Sequence, residues 1–115
     1  MSIVIFHNPR CSKSRQTLQL LQDNGVEPDV VEYLNAPPSK IRLKQVLKIL
    51  GLKPRQLMRR NEAEYKALGL TDESLTEEQL IDAMLVTPKL IERPIVINGD
   101  KAAIGRPPEN VLKIL

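Results

Sequence analysis

The strongest constraint on the fold is an apolar run near the start of the sequence that stops at a turn and passes directly into helical spacing. Ser2 to Phe6 is apolar and β-branched, and it ends at His7-Asn8-Pro9, where proline prevents ordinary strand pairing. Leucines recur at helical spacing from Cys11 to Asn24, with Gly25 placed as a left-handed cap. A second run rich in valine, Asp29 to Leu34, follows. This order predicts a parallel, right-handed strand-helix-strand unit.

The middle of the sequence has the pattern of several helices. Ser39 can cap a helix whose apolar residues recur at i, i+3, i+4 and i+7, and Gly51 closes it. One or two short helical turns are expected between residues 54 and 70. Thr76 and Gln79 then form a capping-box signature ahead of a further helix.

The end of the sequence returns to strands. Two short apolar runs between residues 94 and 104 flank Asn98-Gly99-Asp100, which predicts an antiparallel hairpin. Pro107-Pro108 favours the start of a final short helix. The whole order predicts an α/β fold of the thioredoxin-like type, βαβ-(helical insertion)-ββα, with a mixed central sheet and flanking helices. We expect it to form a single domain over residues 1–115.

Composition excludes several classes of function. The single cysteine rules out an internal disulfide, and one Phe, two Tyr and no Trp leave little aromatic surface on which nucleic acid bases could stack. The net charge of +3 favours small anions over a phosphate backbone. The first ten residues lack the apolar core of a signal peptide, and no apolar run approaches the length of a membrane span. We expect a cytoplasmic protein with neither nucleic acid nor membrane as a partner.

Cys11 stands at the junction of the first predicted strand and helix. A thiol at a helix N-terminus faces unpaired N–H groups and the positive end of the helix dipole, and both favour the thiolate. Cysteines at such sites reach a pKa of roughly 3.5 to 7.5, against about 8.5 for a free cysteine. A lone cysteine can also be an inert, buried small residue. The position and the nearby His7, Arg10 and Lys13 favour a nucleophile.

The residues after Cys11 point to an external electron donor. Ser14 stands where a dithiol redox protein carries its second cysteine, so an oxidised Cys11 would have no internal resolving thiol. The hydroxyls of Ser12 and Ser14 can help the backbone amides to hold an oxyanion. They can equally serve only to cap the first helical turn.

Three arginines are candidate ligands for an oxyanion: Arg59, Arg93 and Arg106. A guanidinium offers planar, forked donors and keeps its charge, which suits binding of tetrahedral anions. Spacing alone does not distinguish them from solvated surface arginines. Arg93 is the exception, because in a thioredoxin-like sheet the proline that opens the third strand is typically cis and faces the reactive cysteine. Arg93 precedes that proline, so we expect it near the thiol.

His7 is the only histidine, and its role is open between a structural hydrogen-bonding group and a catalytic one. No His/Cys pair has the spacing of a metal site, and no glycine-rich nucleotide loop occurs. We therefore expect no bound cofactor and no metal. An enzyme of this kind would depend on thiols.

Four motifs together resemble the glutaredoxin-dependent arsenate reductase family. They are H-N-P-R-C-S-K-S-R at 7–15, L-M-R-R-N at 57–61, E-R-P-I-V at 92–96 and G-R-P-P-E at 105–109. The segments 33–39, 65–70 and 78–82 also look like that family, in order and without large gaps. The resemblance covers nearly the whole chain.

The resemblance implies an enzyme of arsenic detoxification that has glutathione as its co-substrate. Cys11 would attack arsenate, glutathione would displace arsenic from the thiol adduct, and glutaredoxin would complete reduction to arsenite. In the family pattern Arg59, Arg93 and Arg106 would bind arsenate and its adducts, and His7 and Ser14 would lower the pKa of the thiol. Arg60 is the alternative to Arg59, one residue along the same motif.

The resemblance is to a short form of the family, since many members continue past the last helix whereas this sequence ends at Leu115. Another oxyanion or a glutathionylated thiol therefore stays open as the substrate. Regulators related to the Spx proteins, which share the fold and bind RNA polymerase, are the alternative from another class. They typically carry C-x-x-C, and this chain has Ser14 at the second position. That difference favours the enzyme.

Overall fold

The computed structural model describes residues 2–115 as two compact units, each of which is described by itself. One unit contains residues up to Ala36 together with Arg93–Leu115, and the other is Pro37–Glu92. The prediction of a single domain over residues 1–115 stays a prediction.

The first unit is built on a four-stranded mixed sheet with the strand order β2-β1-β3-β4. β1 (Ile3–Phe6) pairs in parallel with β2 (Asp29–Val31) and antiparallel with β3 (Ile95–Asn98), which forms a hairpin with β4 (Lys101–Ile104). The hairpin turns at Gly99, where φ is +61°. The strand-helix-strand unit and the final hairpin agree with the sequence analysis.

Two helices pack on this sheet. They are α1 (Ser12–Asp23) and a C-terminal 3₁₀ helix (Pro108–Ile114). The core between them contains Ile5, Leu21, Val96, Val111 and Ile114. Because β1 and α1 come from the start of the chain and the other elements from its end, the two ends share one core.

β2 is shorter than the predicted strand Asp29–Leu34, and it ends at Val31. The backbone N–H groups of Asn35 and Ala36 both donate to the carbonyl of Glu32, which turns the chain. β1 ends at Phe6, so residues 32–34 have no strand beside them with which to pair.

The second unit is helical. Its elements are α2 (Lys40–Leu50), α3 (Pro54–Leu57), α4 (Ala63–Ala67), α5 (Glu77–Val86) and a 3₁₀ turn (Pro88–Leu90). The Ser39 hydroxyl accepts the Arg42 N–H at 3.1 Å, and Gly51 closes α2 with φ +68°. The capping box of Thr76 and Gln79 forms at the start of α5. Across residues 2–115 every helix is too short or too polar to cross a membrane.

Candidate active site

Cys11 is the N-cap residue of α1 and has an extended backbone, with φ −92° and ψ 123°. Its N–H donates to the carbonyl of Asn8 at 3.0 Å, and its own carbonyl accepts the N–H of Arg15 at 3.0 Å. The first bond closes the turn that follows β1, and the second begins the helix. The partly exposed thiol is thus held where the first N–H groups of the helix are unpaired.

Opposing effects act on the thiol. Burial raises the pKa of Cys11, but the Ser14 N–H, the charge of Arg93, the Lys13 N–H and the Arg106 side chain outweigh it, so the pKa lies below its ordinary value. The backbone N–H groups are those expected at a helix start, and the two guanidinium groups come from the other end of the chain. The thiolate is therefore stabilised by local and distant parts of the sequence together.

Arg106 contacts the thiol directly. Its Nη1 lies 3.8 Å from Cys11 Sγ and also donates to the carbonyl of Arg93 at 3.3 Å. Arg106 is exposed, and Arg93 is half-buried and precedes Pro94 through a cis peptide bond. The charge of Arg93 acts on the same sulfur. The structure therefore brings Arg93 and Arg106 together beside the thiol.

His7 and Ser14 form a buried pair behind the Cys11 turn. Ser14 Oγ lies 2.6 Å from His7 Nδ1 and accepts the N–H of Asn8 at 3.0 Å. Ser14 is fully buried and His7 is 6% exposed. The Ser14 hydroxyl thus ties the turn to α1, whereas its backbone N–H is the group that acts on the thiol.

The environment of His7 favours its neutral form. Burial lowers its pKa from its ordinary value, the charge of Glu32 opposes that effect, and the charge of Arg15 adds to it. The contact that His7 makes in this site is its hydrogen bond with Ser14. The role predicted for His7 in lowering the pKa of the thiol stays a prediction.

Ser12 and Arg59 are placed differently from the other candidates. Ser12 is exposed at the first position of α1, next to the thiol in the chain. Arg59 lies in the second unit, where its guanidinium pairs with the carboxylate of Glu62 and Nη1 donates to the Lys89 carbonyl at 3.4 Å. Arg60 is exposed in the same unit. The role predicted for Arg59 stays a prediction.

A surface cavity of about 320 Å³ lies beside the turn that carries Cys11. It is lined by His7, Asn8, Pro9, Arg10, Glu32, Leu34 and Asn35. Within residues 2–115 no group of three or more His, Cys, Asp or Glu side chains is arranged to hold a metal ion. The chemistry that the described groups offer is that of a thiol of lowered pKa beside two arginine side chains.

Two residues that the sequence did not single out, Thr17 and Gly105, lie beside the segments that carry Cys11 and Arg106. Thr17 is fully buried on α1, and its hydroxyl donates to the Lys13 carbonyl at 2.7 Å. Gly105 is buried immediately before Arg106. The one signal in the sequence is the glycine that opens G-R-P-P, and nothing near it identifies Thr17 as its neighbour.

Comparison with known proteins gives consistent results over nearly the whole chain. The sequence model of the ArsC family matches residues 6–114. The chain is 50% identical to an arsenate reductase of Haemophilus influenzae over the full length of both proteins. It is 59% identical to the uncharacterized protein YfgD of Escherichia coli, over 98% of this chain and 96% of that one.

Comparison with solved structures also supports the assignment of the fold. An arsenate reductase from Vibrio cholerae superposes with a TM-score of 0.97 at 52% identity, covering 100% of this chain and 98% of that one. The predicted α/β fold class, with its mixed sheet and flanking helices, is confirmed.

Proposed function

The chain belongs to the ArsC family, and from this premise we propose that it reduces arsenate to arsenite through Cys11. The observation that carries the proposal is the thiol of lowered pKa at the start of α1, with Arg106 Nη1 3.8 Å from Sγ and the charge of Arg93 acting on the same sulfur. A soft nucleophile and two fixed cations are what attack on a tetrahedral oxyanion requires. The resemblance found in the sequence and the similarity of the relatives support the same reaction.

The first chemical step is displacement at arsenic. The Cys11 thiolate forms a sulfur–arsenic bond, and an arsenate oxygen leaves as water after it takes up protons. Arg93 and Arg106 neutralise charge on the remaining oxygens, and the first N–H groups of α1 contribute further donors. Ser12, with its exposed hydroxyl, and Arg59 are proposed as further ligands of the oxyanion or its adduct.

The electrons come from thiols outside the chain, since Cys11 is the only cysteine. We propose that glutathione attacks the Cys11 adduct and that glutaredoxin completes the reduction. In total, arsenate and two thiols give arsenite, one disulfide and water, so the two electrons come from two sulfur atoms. This chemistry needs a compartment in which thiols stay reduced, which supports a cytoplasmic location.

The test is consumption of NADPH in the presence of arsenate, glutathione, glutaredoxin and glutathione reductase, with wild type compared with Cys11→Ser. We expect arsenate-dependent turnover in the wild type and none in the variant, because the hydroxyl that replaces the thiol is a poor nucleophile. Turnover retained by Cys11→Ser would contradict the mechanism. Turnover without added glutaredoxin would contradict the proposed donor and leave the role of Cys11 intact.

A further inference from the structure

Three segments of the first unit meet at Gly105 with no space for a side chain. A Cβ atom on Gly105 would lie 2.5 Å from Thr17 Oγ1, 3.0 Å from Thr17 Cγ2 and 2.8 Å from Pro94 Cγ. Real Cβ atoms essentially never come as close to other heavy atoms as the distances to Thr17 Oγ1 and Pro94 Cγ. Thr17 and Pro94 are buried, so neither can swing into solvent to relieve the contact. Glycine is therefore required here for space, since its φ is not in the left-handed range.

The three segments are the ones that carry the charged groups of the site. Thr17 lies on α1, whose first turn presents Cys11. Pro94 follows Arg93, and Gly105 precedes Arg106. The Gly105 N–H donates to the Pro94 carbonyl at 2.9 Å, and Arg106 Nη1 donates to the Arg93 carbonyl at 3.3 Å, so the two arginine segments are joined to each other. The Thr17 contact joins this pair of segments to the helix, in addition to the contact of Arg106 with Cys11 Sγ.

We propose that the packing of Gly105 against Thr17 and Pro94 is a positioning contact that fixes how closely the guanidinium groups of Arg93 and Arg106 approach Cys11 Sγ. A methyl group at residue 105 must displace the strand end from α1, because both neighbours are held in the interior. Coulomb interaction and hydrogen bonding both weaken with that displacement, and the Arg106 contact at 3.8 Å is already long. Gly105 and Thr17 are positioning residues, since they act on the thiol only through the arginines.

The inference concerns the same site as the proposed function, and it rests on that function for the role of the contact in arsenate reduction. The contact itself can be tested without arsenate. The pKa of Cys11 is read from the pH dependence of its alkylation by iodoacetamide, in parallel with the urea midpoint of each variant. For Gly105→Ala we expect the pKa of the thiol to rise by about one unit, which is about tenfold less thiolate at a pH below that pKa. For Gly105→Ala with Thr17→Ala we expect most of the rise to be reversed, because the second change removes both Thr17 atoms that the new methyl group would meet.

Gly25→Ala is the matched control, at the far end of the same helix. Gly25 has φ +77°, so alanine is strained there, but nothing lies within 4 Å of its Cβ position. We expect this variant to lose stability and keep the thiol pKa of the wild type. If a general loss of stability were the cause, the pKa of Cys11 would rise in both Gly105→Ala and Gly25→Ala. That result would overturn the proposal.

Three further outcomes would overturn the proposal. A folded Gly105→Ala with the alkylation profile of the wild type would overturn it, as would a double variant no closer to the wild type than the single one. If Gly105→Ala does not fold, Thr17→Ile enlarges the same contact from the helix side and is expected to raise the pKa; an unchanged profile in folded Thr17→Ile would overturn the proposal. Failure of arsenate turnover in the wild type would contradict the proposed function alone, since alkylation does not depend on it.

Discussion

Cys11 owes its acidity to donors from both ends of the chain. The N–H groups of Lys13 and Ser14 in the first turn come with any helix that starts here, whereas Arg93 and Arg106 are specific to this fold. Together they outweigh burial, which on its own would raise the pKa of the thiol. Each arginine is therefore expected to affect both the state of the nucleophile and the handling of the anion.

Substitutions of Arg106 separate these two effects. Arg106→Ala should raise the pKa of Cys11 and lower arsenate turnover by about 10²–10³, the range found when one donor to a developing oxyanion is removed. Arg106→Lys should restore much of the pKa but less of the turnover, because lysine keeps the charge and loses the planar fork. Arg42→Ala on α2 is the control for loss of one positive charge. Turnover of Arg106→Ala equal to that of the control would mean that Arg106 has no role in the reaction.

The lowered pKa of Cys11 also predicts how stability depends on pH. Between the folded pKa and the unfolded value of about 8.5, the unfolded chain binds more protons at this residue, so the free energy of unfolding rises with pH. The contribution is complete above the unfolded pKa and is lost as the pH falls through the folded one. Urea unfolding of wild type and Cys11→Ser at a series of pH values measures it. We expect the difference between the two proteins to grow with pH and then level off, and a constant difference would contradict the lowered pKa.

Elements with local signals are the part of the fold that the sequence predicts well. Ser39, Gly51 and the pair Thr76 and Gln79 define helix ends through bonds that span three or four residues, so the sequence contains both partners of each bond. The contribution of such capping bonds to stability can be tested at the start of α5. The Thr76 hydroxyl accepts the Gln79 N–H at 3.2 Å, and Gln79 Oε1 accepts the Thr76 N–H at 2.8 Å.

Removal of this capping box should destabilise the protein. We expect Thr76→Ala to lower the free energy of unfolding by about 0.5–2 kcal/mol, and Thr76→Ser to lower it much less because serine keeps the acceptor. Thr71→Ala, in an exposed turn, is the matched control. Urea unfolding followed by circular dichroism gives all three values. Equal losses for alanine and serine at residue 76 would mean that the hydroxyl is not the stabilising group.

Elements without a local signal are predicted less well. The final helix is 3₁₀ rather than α-helical, with Val111 and Ile114 buried three residues apart, and an apolar pattern of this length is compatible with either form. β2 ends early because its partner strand ends, which residues 32–34 themselves do not reveal. The contact between Cys11 and Arg106 spans 95 residues of sequence, so only topology or family resemblance could suggest it. Spacing gives no indication of the Thr17–Gly105 packing, because the two residues lie far apart in the chain.

At the scale of the whole molecule, the first unit depends on its C-terminal residues for its core. Val111 and Leu112 are adjacent on the C-terminal 3₁₀ helix, but Val111 is fully buried and Leu112 is 41% exposed. Val111→Ala should cost roughly 2 kcal/mol of unfolding free energy, from about 0.8 kcal/mol per buried methylene plus the cavity left behind. Leu112→Ala should stay within about 0.5 kcal/mol of the wild type. Thermal unfolding of the two variants compares them directly, and equal losses would contradict the described packing.

The joining of both chain ends in one sheet has a consequence for the protein as it is made. A ribosome adding about 5–20 residues per second releases Cys11 roughly 5–20 s before Arg106, which lies 95 residues later. During that interval the nascent chain carries a thiol without Arg106 and, for most of the time, without Arg93 as well. Until synthesis is nearly complete, the sulfur therefore lacks the arginine contacts that lower its pKa in the folded protein. The order of translation therefore leaves the surroundings of the thiol incomplete until the last part of the chain is made.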